Sequence, residues 1–152
     1  MATLDPTAAA RWRWLRLMPP ALSPLGAVLL QTALAAEALL RGTDYALHHH
    51  QPASVLGAIQ ATAPIWVWGA VFLFGGALLL AGIVHEQWPA APLGHLILLT
   101  TYVSFSLGAL IDSATNEMPG GWRTGTTFAA LAVMHLVFLY GSWAAWRRRQ
   151  RA

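Results

Sequence analysis

Four uninterrupted apolar runs, at residues 21–40, 64–84, 93–111 and 125–146, constrain this chain more than anything else in it. A helix of about 20 residues crosses a hydrocarbon core of about 30 Å and satisfies its own backbone amides where no water can. The expected fold class is therefore all-α, an integral membrane four-helix bundle. A transmembrane domain over 21–146 lies between a basic, aromatic segment at 1–20 and a basic tail at 147–152. A chain that is 57% hydrophobic and 10% charged has too little polar surface to cover a water-soluble fold of this size. Pro64 falls in the first turn of its helix, where a missing N–H costs nothing, and Pro92 directly precedes the third run.

Charge sets the expected direction of threading. Arg11, Arg13 and Arg16 precede the first run, and Arg147, Arg148, Arg149 and Arg151 follow the fourth, whereas Arg41 and Arg123 fall in the two connections on the other side. The positive-inside bias then puts both termini of this multi-pass protein in the cytoplasm. Tryptophan, with an apolar ring and an N–H that wants water, collects at interfaces. Trp12, Trp14, Trp88, Trp143 and Trp146 fit the inner level, and Trp66, Trp68 and Trp122 the outer one. Arg11 to Arg16 followed by an apolar run ending Leu34-Ala35-Ala36 also has the form of a signal peptide. Its apolar stretch nevertheless continues to Leu40, past the usual h-region of about 7–15 residues. On the outer side, 52–63 is too short to cross and either lies among headgroups or extends the second helix. Met118-Pro119-Gly120-Gly121 is a turn signal.

Polar side chains inside lipid cost free energy, so each is a functional candidate. Gln31 and Glu37 lie in the first run, Glu37 four residues before Arg41 and able to pair with it. In the third run Thr100, Ser104, Gly108 and Asp112 recur every fourth residue, a small-polar stripe that either seals helix packing or lines a wet path, with Asp112 hydrated at the outer boundary. Tyr102 is the other polar candidate there. His135, near mid-bilayer in the fourth run, is expected to bond a facing hydroxyl such as Ser104 or Tyr102. A haem between His135 and His95 is disfavoured, because counting about 1.5 Å per residue from the inner helix ends separates them in depth by about 13 Å. Gly69 with Gly76, and Gly75 with Gly82, are each seven apart and mark two close-packing faces of the second run. His48, His49 and His50 form a run in the outer loop that reads as solvated.

The chain has no cysteine and no lysine, which excludes thiolate metal sites and nucleophiles of either type. No Ser-His-Asp set, paired catalytic carboxylates or phosphate-cradling glycine loop is present, so an enzyme is not expected, nor a catalytic residue, a metal or a cofactor. The basic residues flank apolar runs rather than forming a surface, so nucleic acid is not an expected partner. The expected partners are the lipid bilayer and either further copies of the chain or other membrane proteins.

The Arg11-Trp12-Arg13-Trp14 lead, the short turns, Gly121-Trp122-Arg123-Thr124-Gly125 before the last run and the Arg147-Arg148-Arg149 tail resemble small four-span membrane proteins of high-GC bacteria and their phages, holin-like proteins of actinobacterial phages among them. The resemblance runs over the whole length on such general features. It implies a protein that accumulates in the host membrane, oligomerises and opens lesions at a set time. Two other functions fit the residues: an accessory or assembly subunit docking through its glycine faces, or a small transporter or cofactor-binding bundle built around Gln31, Glu37, Tyr102 and His135.

Overall fold

The computed structural model describes residues 23–47, 56–85, 89–115 and 121–149. The basic lead, His48 to His50 and Met118-Pro119-Gly120 of the turn lie outside the described residues, as do Trp88 and Arg151. Five helices follow in order: α1 Pro24–Leu47, α2 Gly57–Gln60, α3 Ile65–Val84, α4 Ala90–Thr115 and α5 Gly121–Arg149. The fold is all-helical among the described residues, and α1, α3, α4 and α5 are long and apolar enough to cross a membrane.

Every long helix outruns its apolar run except α3, which begins at Ile65 with Pro64 as its N-cap. The α1 helix passes Leu40 and continues through Arg41-Gly42-Thr43-Asp44 to Leu47. These residues look like a loop in sequence, but Arg41 bonds Glu37 one turn back and Thr43 Oγ1 bonds the Leu39 carbonyl at 2.8 Å, so the polar groups are satisfied on the helix itself. The α4 helix starts at Ala90, with Pro92 inside its first turn rather than ahead of it, where its absent N–H has no helical partner to lose. The α5 helix extends from Gly121 to Arg149, beyond both ends of the 125–146 run and into the basic tail.

The long helices run antiparallel in sequence order, with close backbone approach along α1–α3, α3–α4 and α4–α5. Glycine makes that approach possible. On α3, Gly69 lies against Gly42 and Ala46 of α1, and Gly76 against Ala35 and Leu39. On its other side Gly75 lies against Leu98 of α4 and Gly82 against Ala91. The α3 helix thus turns one glycine face to each of its two neighbours. By contrast α1 and α5 meet mainly through side chains: Ala27 and Leu34 pack with Phe138, while Leu131 and Met134 fill in around them.

Of residues 52–63, the described part, 56–63, does not extend α3. The described part forms the single turn α2, folded back onto α4, with Ile59 seated on Gly108. Asp112 is 6% exposed rather than hydrated, and both its carboxylate oxygens accept from the Ala58 N–H, at 3.2 and 3.0 Å. A short helix leaves its first N–H groups unpaired, and here a carboxylate on a neighbouring helix takes one.

Candidate functional site

The bundle core is built on alternating three- and four-residue steps. His95, Leu98, Tyr102, Phe105, Ala109 and Asp112 of α4 are all buried, a heptad-like stripe that turns one face inward along the helix. The every-fourth stripe starts off that face and drifts onto it. Thr100 is exposed and Ser104 half-buried, with hydroxyls bonded to their own helix, to the Ile97 and Thr100 carbonyls at 2.8 and 2.9 Å, while Gly108 and Asp112 meet α2. These four residues therefore line no common path.

At the heart of the bundle, Gln31, His95 and His135, from α1, α4 and α5, are all fully or almost fully buried. His95 Nδ1 and His135 Nδ1 are 2.9 Å apart, and His95 Nε2 is 3.1 Å from Gln31 Oε1. Gln31 Nε2 donates to the Ala27 carbonyl at 3.3 Å. The expectation that His95 and His135 lie at different depths is overturned. Ser106 Oγ donates to the Gly125 carbonyl at 2.8 Å, giving the same α4–α5 register as the histidine pair. That register sets Ala90 level with Tyr140, so residues 141–149 overhang the start of α4 by about 13 Å. The two helices do not end at a common level. Their assumed alignment, not the residue count, produced the apparent mismatch. The partner of His135 is accordingly a histidine and not a hydroxyl. An iron held through both Nδ1 atoms would keep them about 4 Å apart, so it does not fit between these two nitrogens at 2.9 Å.

With both imidazoles neutral, the contacts allow one consistent assignment of the protons. The Ala27 carbonyl only accepts, so it takes the Gln31 amide N–H and turns Gln31 Oε1 toward His95. His95 Nε2 must then carry the proton, which leaves Nδ1 as an acceptor. His135 Nδ1 must in turn donate. The chain ends at His135 Nε2, a bare lone pair with no partner among the described residues. A backbone carbonyl at one end therefore orients an imidazole acceptor on the third helix. Donation from Nδ1–H is also what makes the opposite nitrogen of a histidine a better ligand or base.

Next to this chain lies a second polar group. Tyr102 donates to Glu37 Oε2, and Arg41 donates to Glu37 Oε1 through Nε at 2.7 Å and through Nη2. Arg41 Nη1 also approaches Tyr45 Oη at 3.5 Å, and its guanidinium sits 4.7 Å from the centre of the Phe128 ring. The Glu37 and Arg41 side chains are 30% and 26% exposed, so this pair is reached from outside while the histidines are not. The two groups share a wall, because the Tyr102 ring stacks on His135, centroids 5.3 Å apart, and also packs against Phe72 and Phe128.

Of the polar candidates, Gln31 and His135 meet in the chain and Glu37 and Tyr102 in the second group, while Thr100, Ser104 and Asp112 join neither. Sequence reasoning passed over His95 as a partner, although its spacing to Tyr102 and Phe105 places it on the buried stripe. No cluster of three or more metal-binding side chains exists among the described residues. Fold and site together define a class: an all-helical, four-span membrane bundle with an oriented polar chain in its interior. Comparison with family models, curated proteins and solved structures gives no match.

Proposed function

We propose that this is a multi-pass protein of the bacterial inner membrane that acts through a polar site inside its own bundle, as a small carrier or ligand-binding bundle. The observation that carries the reading is the chain from Ala27 through Gln31 and His95 to the unpartnered His135 Nε2. An acceptor buried without a donor costs about 1–3 kcal/mol, and bundles of this kind retain such groups where they do chemistry. His135 Nε2 can accept from a hydroxyl or water, or give its lone pair to a borderline cation. A continuous proton wire is a poorer fit, since the chain stops at an amide and a backbone carbonyl, neither of which passes a proton on. The lysis reading needs a polar face turned outward on assembly. Here Gln31, Tyr102 and His135 turn inward, Glu37 is paired with Tyr102 and Arg41, and the outer faces carry Leu25, Leu40, Phe74, Leu107 and Val133.

The test is purification of the full chain in mild detergent, followed by native mass spectrometry and a visible absorption spectrum. The reading predicts a co-purifying small molecule or ion whose occupancy falls in His135→Leu and persists in the surface variant Tyr140→Leu. An abrupt, delayed collapse of membrane potential on expression in a bacterium, unchanged by His135→Leu, would overturn it in favour of lysis.

A further inference from the structure

The loosest seam of the bundle, between α1 and α5, opens into a cleft of about 280 Å³ lined by Arg41, Arg123, Thr124, Thr127 and Phe128. It is separate from the histidine chain: Phe128 forms its apolar wall, and His135 lies two turns further along α5. Two guanidinium groups meet there from opposite helices. Arg41 is held in place by Glu37 and Tyr45, and of its five N–H groups the bonds to those residues use three, leaving two. Arg123 is exposed and has no side-chain partner among the described residues. Counting Arg41, Glu37 and Arg123, the cleft carries one net positive charge. Asp44, the nearest further carboxylate on α1, is exposed and does not line it.

We propose that this cleft holds the phosphate of an anionic lipid, a phosphodiester monoanion whose single charge matches that net charge. Arg41 supplies a fixed donor pair, Arg123 a mobile one and Thr124 a hydroxyl. A planar guanidinium offers paired N–H groups at the spacing of two phosphate oxygens. The location selects a lipid over free phosphate. The cleft opens between two membrane-spanning helices, its wall is the Phe128 ring, and Leu40 and Trp122, beside Arg41 and Arg123 in sequence, are exposed and apolar. A basic pocket between spans has the chemistry of a headgroup site.

The full-length protein in mild detergent is titrated with phosphatidylglycerol, with phosphatidylcholine and with inorganic phosphate, reading thermal stability and lipid retained in native mass spectrometry. Phosphatidylglycerol should stabilise and be retained, while the other two should do neither. Arg123→Gln, which removes an exposed side chain and leaves the helix contacts intact, should weaken phosphatidylglycerol binding about fivefold. Arg147→Gln, at the opposite end of α5, should leave it unchanged. Equal effects of the two lipids, an unaltered Arg123→Gln, or equal losses in both arginine variants would overturn the site. Inorganic phosphate acting alone through Arg123 would overturn the lipid as its occupant.

Discussion

His135 shows how far a single side chain in lipid can be understood from its bonds. Its Nδ1 donates to His95, and that direction is inherited from the Ala27 carbonyl two helices away, through Gln31. Removing one member of such a chain leaves the next unsatisfied. Gln31→Leu should therefore cost about 1–2 kcal/mol, measured by unfolding in mixed detergent. Adding His95→Leu to it should cost less than the two single changes together, because the partner is already lost. Asp112 carries a separate prediction. Replacing it with Ala leaves the Ala58 N–H without its acceptor, so hydrogen exchange at α2 should quicken while the spans keep their protection. Intramembrane Gln31, Glu37, Tyr102 and His135 were legible because any polar group in an apolar run stands out. His95 was not, because its partner depends on how far α5 overhangs α4, and neither end of that overhang leaves a mark in hydropathy. Asp112 was placed in water because α2, which covers it, is a single turn too short to carry a periodic signal.

At the scale of the element, the helices are longer than the apolar runs that reveal them. Hydropathy locates the hydrocarbon, whereas helix ends depend on where polar side chains find partners, as Arg41 and Thr43 do on α1. The glycine spacing of α3 points to two faces, and along the one that meets α4 the sites differ in what they offer a new methyl group. A Cβ at Gly94 would lie 2.6 Å from the Leu79 backbone nitrogen, and one at Gly82 would strike the backbone of Ala91. At Gly75 the nearest atoms belong to the Leu98 side chain, at 3.0 Å. Ala at Gly82 or Gly94 should thus force helices apart and lower stability by about 1–3 kcal/mol, with Gly75→Ala milder, when melting temperatures of the three variants are compared. The every-fourth stripe on α4 misled for a geometric reason. A step of four overshoots a helical turn, so the stripe that starts on lipid at Thr100 reaches the interior only at Gly108.

Over the whole molecule, four antiparallel spans bring Pro24 and Arg149 to the same end as the α3–α4 connection. The arginine distribution predicts that this end faces the cytoplasm, so reporter fusions at both termini should be active on that side alone. The seam between α1 and α5 is where the ring of helices is least tightly closed, and both the lipid cleft and the exposed edge of the Glu37–Arg41 pair lie along it. The proposed interior site rests on the direction of the buried chain, and nitrogen NMR of the full-length, histidine-labelled protein in lipid bilayers reads that direction at each ring. The account predicts His95 protonated on Nε2 and His135 on Nδ1, with the pattern lost in Gln31→Leu. Two rings in the same tautomer, or rings exchanging freely with water, would contradict it.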